Sequence, residues 1–158
     1  MSSAVVEAPE AVASVTSVAP ELQPTLLELV DLSLVAKQAH WNVSGELFKP
    51  LHLEFDEITE AARGWADDVA ERLEAVGVAA DGRATSVAGG SGLPAMPDGK
   101  LDGPVAARLV AGTMGEIAER VRGRIGRLGA VDPLSQDVLI EVGRGLEKQL
   151  WMLREQIS

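Results

Sequence analysis

Apolar residues recur every three or four positions over four stretches of the chain, which is the spacing of one face of an α-helix. The first stretch predicts a helix over residues 22–43 and the second a helix over 47–76. The third predicts a helix over 102–128 and the fourth a helix over 132–156. No stretch alternates apolar and polar residues as a half-buried strand does. The pattern therefore predicts an all-α protein with four long helices.

The connections between these helices differ in length. Residues 78–101 contain five glycines and two prolines, which is typical of a loop, with room for a short helix over 84–88. The other two connections are short. A long connection between the second and third helices favours a ferritin-like four-helix bundle with a crossover, extending over residues 21–158, rather than a simple up-and-down bundle.

The first 20 residues mix Ala, Val, Ser and Pro without a firm period, so we expect a flexible N-terminal tail over 1–20. This segment has no positively charged start and no uninterrupted apolar run, unlike a secretory signal peptide or a membrane span. We therefore expect a cytoplasmic protein.

Composition narrows the chemistry. The 158 residues are 46% hydrophobic and 24% charged, as expected for one globular domain. Aromatic residues make up only 3%, which favours helices over a sandwich or barrel. The chain has no cysteine, so disulfides, thiolate zinc sites, iron–sulfur clusters and thiol nucleophiles are excluded.

The net charge of −10 argues against binding to nucleic acid or to anionic membranes. The first basic residue is Lys37, so the chain has no basic N-terminal arm. The only local basic cluster, which we call the arginine cluster, lies on the third predicted helix beside two glutamates and comprises Arg120, Arg122, Arg124 and Arg127. A DNA-compacting protein is thus an alternative that depends on exposure of this cluster.

The two histidines of the chain, His40 and His52, flank the connection between the first two helices. Carboxylates follow on the second helix, and imidazole with carboxylate ligands suits iron(II), manganese or zinc. A lone histidine in a helix is more often structural, but two histidines with regularly spaced acids favour a metal site. A purely structural bundle, with solvated acids and packed histidines, is the remaining alternative.

The spacing of these residues constrains where a metal could bind. His52 and Asp56 are four residues apart, one helical turn, and so are Asp67 and Glu71. The two pairs share a stripe of the helix, but about 22 Å of axial rise separates His52 from Asp67. Two antiparallel copies of the helix would bring opposite pairs together and form two equal sites per homodimer. His40, on the neighbouring helix, could add a further ligand.

An in-bundle di-iron site requires Glu-x-x-His motifs. Lys37 and Lys49 occupy the positions three residues before His40 and His52, so this motif is absent. The site is therefore predicted at an interface between chains.

Three segments resemble the Dps family of miniferritins: Lys-Gln-Ala-His40-Trp41-Asn-Val-x-Gly, Leu-His52-x3-Asp56-Glu57 and Asp67-x3-Glu71-Arg. The likeness extends over about residues 22–156. It implies a hollow dodecamer of four-helix subunits in which iron(II) is oxidised, preferably by hydrogen peroxide, and stored as ferric mineral. The basic tail by which some members bind DNA has no counterpart here.

The resemblance also implies roles for individual residues. Five would be iron ligands, three from one chain (His40, His52 and Asp56) and two from its partner (Asp67 and Glu71). Trp41, beside that site, would accept an odd oxidising equivalent. Packing is the alternative role for Trp41 and the expected one for Trp65 and Trp151.

Further acids have less specific roles. Glu57 and Glu60 would seed mineral, although a solvated helix face explains them nearly as well. Asp132, Asp137 and Glu141 correspond to the region that lines a three-fold pore in the family, where rings of acids attract cations. Acids that complement the helix dipole are the alternative explanation, most fully for Asp132.

Overall fold

A computed structural model describes residues 9–158, and the side chains from residue 15 onward. It contains five helices, α1 to α5, at Pro9–Asn42, Phe48–Ala75, Ala84–Gly90, Gly103–Leu128 and Pro133–Glu155. The four long helices and the crossover between the second and third confirm the predicted bundle. Residues 1–8 of the predicted tail lie outside the described residues.

Helix α1 begins at Pro9, so the start predicted near residue 22 was wrong. Pro20 and Pro24 lie inside the helix although proline is usually a helix breaker. The reason for the longer helix is visible in its packing, because Val18 is fully buried and continues the apolar stripe upstream of Leu22. Tertiary contacts thus extend the helix past the proline that marks a boundary in the sequence.

The core lies between the four long helices and consists mainly of Leu, Val, Ile and Ala. Its largest fully buried side chains include Phe55, Leu29, Leu51, Met114 and Leu146. Burial of such a side chain stabilises the fold by about 1.5–3 kcal/mol.

Within the described residues no helix is both long enough and apolar enough to cross a membrane.

A two-residue parallel strand pair, absent from the sequence prediction, closes the crossover. Strand β1 (Val43–Ser44) follows α1 and pairs with β2 (Leu101–Asp102), which precedes α4. Gly45 has a φ of +93°, so it turns the chain sharply from β1 into α2. The pair therefore fixes the end of α1 and the start of α2, where both histidines lie.

Candidate metal centre

His40 and His52 form a tightly interlocked pair at this turn. Their rings stack with centroids 3.7 Å apart and planes inclined by 22°. Nδ1 of His40 lies 2.7 Å from the backbone oxygen of His52, and Nδ1 of His52 lies 2.8 Å from that of His40. Each imidazole therefore contacts the backbone of the other helix, and the two contacts together connect the end of α1 to the start of α2.

These hydrogen bonds determine the tautomer of both rings. A carbonyl oxygen only accepts, so each Nδ1 donates a proton and each neutral ring keeps its lone pair on Nε2. Metal-binding histidines are commonly oriented in this way, with the other ring nitrogen donating to a backbone carbonyl. The pair thus presents two Nε2 atoms suited to binding a divalent metal.

Asp56 follows His52 by one turn of α2. Its nearest partner is Lys37 on α1, with which it forms a hydrogen-bonded ion pair. That hydrogen bond lowers the pKa of the Asp56 carboxyl. Lys37 is a residue whose role the sequence prediction missed. The signal was present, because Lys37 precedes His40 by one turn and Asp56 follows His52 by one turn.

The other two predicted ligands are separate from the histidine pair. Asp67 and Glu71 are exposed on the same uninterrupted helix α2, about 22 Å and about 28 Å from His52 by helical rise. Within the described residues, no group of three or more His, Asp or Glu side chains of this chain is close enough to hold a metal ion. One chain therefore brings His40 and His52 together, places Asp56 one turn further along α2 on Lys37, and leaves Asp67 and Glu71 apart from them.

The three tryptophans have different surroundings. Trp41, next to His40, is 63% exposed. Trp65 is half-buried and its indole lies against Gly145 of α5, so it packs as expected. Trp151 is 60% exposed, which contradicts its expected packing role within the chain.

The predicted pore and nucleation acids are distributed over several environments. Asp132 accepts hydrogen bonds from Arg72 at 2.8 Å and from Ser135 at 2.5 Å. Burial opposes ionisation of Asp132, but these bonds outweigh it and lower its pKa. The other four acids are exposed: Asp137, Glu141, Glu57 and Glu60. Of these, Glu60 lies 3.4 Å from Arg63.

The arginine cluster is neutralised by ion pairs. Arg124 is buried and contacts Glu28 at 2.5 Å, and Arg120 contacts the same carboxylate at 3.1 Å. Arg122 pairs with Glu147 and Arg127 with Glu21. The cluster therefore does not form the free positive surface that a DNA-binding protein would need.

The bundle with its crossover, and a histidine pair at the α1–α2 turn, define a ferritin-like protein. The family model described as "Ferritin-like domain" matches residues 21–158. DNA protection during starvation protein 2 of Deinococcus radiodurans is 41% identical over 133 residues, covering 84% of this chain and 55% of its own length. This chain thus spans about half of that relative. The DNA protection during starvation protein of Agrobacterium fabrum is 32% identical, covering 87% of this chain and 85% of its own length.

Solved structures agree with these relatives. Dps from Microbacterium arborescens, in a structure described as the high iron form, superposes with a TM-score of 0.89 at 30% identity. The match covers 98% of this chain and 99% of that one. The chain belongs to the Dps family of ferritin-like proteins.

Proposed function

We propose that this chain is the subunit of a hollow dodecamer that oxidises iron(II) and stores the iron as ferric mineral. Two relatives carry the name DNA protection during starvation protein, and a structural neighbour is described as a high iron form. The paired arginine cluster argues against protection by DNA binding. We therefore propose that protection is chemical, by removal of iron(II) and hydrogen peroxide.

The observation that carries this proposal is the geometry of α2. The histidine pair with Asp56 is one half of a site, and the exposed Asp67 and Glu71, about 22 Å away on the same helix, are the complementary half. A two-fold axis between two antiparallel α2 helices would join unlike halves twice. His40, His52 and Asp56 of one subunit would then bind iron(II) together with Asp67 and Glu71 of the partner copy.

The proposed reaction uses iron(II) as its substrate. Two iron(II) ions each give one electron to one hydrogen peroxide molecule, the O–O bond breaks, and uptake of two protons yields two water molecules. Paired electron transfer avoids release of a hydroxyl radical. Where a site holds a single iron(II), the exposed Trp41 beside His40 supplies the second electron and becomes an indole radical. Electron paramagnetic resonance after freeze-quenching should detect this radical, and Trp41→Phe should abolish it.

Subunit mixing tests the shared site. His52→Ala and Asp67→Ala shells should each oxidise iron(II) slowly, because every site is damaged. When the two chains co-assemble in equal amounts, half the dimers are mixed and each has one intact site. We expect about a quarter of the wild-type rate, measured anaerobically with added peroxide.

A matched control uses His52→Ala with His40→Ala. Both changes damage the same half of the site, so no combination of these chains restores a complete site and no recovery is expected. Equal rates in both mixtures, in shells shown by mass to contain both chains, would contradict a shared site. Soluble ferric product forming no faster than without protein would refute the ferroxidase activity itself.

A further inference from the structure

A second cluster of chemically distinctive side chains lies between α2 and α5, away from the histidine pair. An open cleft there is lined by Trp65 of α2 and, from α5, by Glu141, Arg144, Gly145 and Lys148. We propose that this cleft binds inorganic phosphate in a form that retains a proton. The proposal is independent of the ferroxidase site.

The two cations of the cleft differ from most others in the chain. Arg144 and Lys148 are one helical turn apart on the same exposed face of α5. Within the described residues neither forms an ion pair, whereas all four arginines of the arginine cluster do. In a chain of net charge −10, two adjacent cations that form no ion pair, even with Glu141 in the same cleft, favour an anionic ligand.

The wall of the cleft adds a neutral donor. A side chain at position 145 would overlap the Trp65 ring, since its Cβ would lie 2.7 Å from the indole Cε2 and closer still to Cζ2, with Nε1 at 3.0 Å. Gly145 thus allows the Trp65 ring, which lines the cleft, to lie with Nε1 against the α5 backbone. The indole N–H has no hydrogen-bond acceptor among the described residues. Guanidinium, ammonium and indole donors together suit the oxygens of a tetrahedral anion.

Glu141 selects among such anions. Its carboxylate only accepts hydrogen bonds, so it repels an anion that carries no proton. Inorganic phosphate at neutral pH keeps at least one P–OH group, which can donate to this carboxylate. Sulfate has no such proton. A phosphate monoester, with a second pKa of about 6, has largely lost its own.

Equilibrium dialysis at low ionic strength and pH 7.5 tests the site, with phosphate, sulfate and AMP as probes. For the wild-type protein we expect saturable phosphate binding with a dissociation constant of about 1 mM or tighter. Sulfate and AMP should bind at least about tenfold more weakly, equivalent to about 1.4 kcal/mol. Absence of saturable phosphate binding, or tighter binding of AMP, would overturn the proposal.

Two double variants separate a site from a general charge effect. Arg144→Gln with Lys148→Gln should weaken phosphate binding about tenfold or more. Lys100→Gln with Arg108→Gln removes the same charge from exposed cations elsewhere and should change binding less than about twofold. Equal losses in both variants would refute the cleft. Arg144→Lys with Lys148→Arg keeps both charges and should retain binding, which would show that these positions act through their positive charge.

The selectivity role of Glu141 has its own variant. Glu141→Gln provides an amide N–H that can donate to any of the three anions, so sulfate affinity should rise to within a few-fold of phosphate affinity. An unaltered preference for phosphate over sulfate in Glu141→Gln would show that Glu141 does not distinguish the two anions by the P–OH proton.

Discussion

Lys37 pairs with Asp56 and thereby occupies the carboxylate that lies beside the two imidazoles. The ammonium and a divalent metal would compete for the same oxygens. The ion pair also keeps Asp56 ionised, because the hydrogen bond from Lys37 lowers its pKa. Lys37 therefore keeps the Asp56 carboxylate ionised, as a metal ligand must be, and also competes with the metal for it.

Replacement of Lys37 tests this competition. In Lys37→Met the Asp56 carboxylate is released and stays ionised at neutral pH, so we expect cobalt(II), a redox-stable probe for iron(II), to bind several-fold more tightly. Calorimetric titration at pH 7 measures the difference. Lys49→Met, which removes an exposed cation from the first turn of α2, is the control. Weaker binding by Lys37→Met than by the control would contradict the competition.

The ion pairs of the arginine cluster lead to a prediction about DNA binding. Because all four members of the arginine cluster face carboxylates, we expect no gel shift of duplex DNA at about 0.15 M salt. A version with several lysines added at its N-terminus serves as a positive control for the assay. A retarded band of the unmodified protein that persists at this salt concentration would require another positive surface.

The buried pair Glu28–Arg124 should be important for stability. Glu28 is 3% exposed and Arg124 is 8% exposed, so loss of the arginine leaves a buried carboxylate with only Arg120 as a charged partner. We expect Arg124→Met to lower the free energy of unfolding by about 3 kcal/mol. Arg122→Met breaks an exposed pair and should cost at most about 1 kcal/mol. Chemical denaturation compares the two variants, and equal costs would contradict the role of burial.

The fold was largely predictable because its helices follow the hydrophobic period closely. The start of α1 was not, because Pro20 marks a boundary that the packing of Val18 overrides. The β1–β2 pair is two residues long in each strand, too short for any alternation to be visible.

In the candidate site too, features with a regular spacing along one helix were predictable, and contacts between helices were not. The one-turn spacing of His52 and Asp56 indicated a shared face of one helix, and both residues lie on α2. Contacts between helices carry no period in the sequence. The structure was therefore needed to find the reciprocal hydrogen bonds of His40 and His52. It was also needed to find that Asp132, predicted to line a pore, pairs with Arg72.

Gly145 should be sensitive to enlargement. Alanine is a better helix former than glycine by about 1 kcal/mol, but here its methyl group would overlap the Trp65 ring. We expect a net loss of about 1–2 kcal/mol for Gly145→Ala. Gly112→Ala provides the matched control, because nothing lies within 4 Å of the added group and the variant should be as stable as the wild type or more so. Thermal unfolding that orders the two variants the other way would refute the close contact.

Glu54 is 7% exposed and lies against Gln156, whose Nε2 donates to Glu54 Oε2 at 3.0 Å. Oε1 of each residue is buried without a hydrogen-bond partner. Burial raises the pKa of Glu54, opposed by the hydrogen bond from Gln156 and assisted by the charge of Glu57. A protonated Glu54 carboxyl could donate to Gln156, which would satisfy both oxygens.

The raised pKa fixes the sign of the pH dependence. Above the usual value of 4.5 the unfolded chain loses the Glu54 proton first, so the contribution of Glu54 to stability declines as pH rises towards the folded pKa. Glu54→Gln keeps a donor for Gln156 at every pH and removes this decline. The free energy of unfolding of the variant, relative to wild type, should therefore increase between pH 4.5 and pH 8. Glu155→Gln replaces an exposed acid on α5 and is the control. A flat difference for Glu54→Gln would mean that folding does not raise the pKa of Glu54.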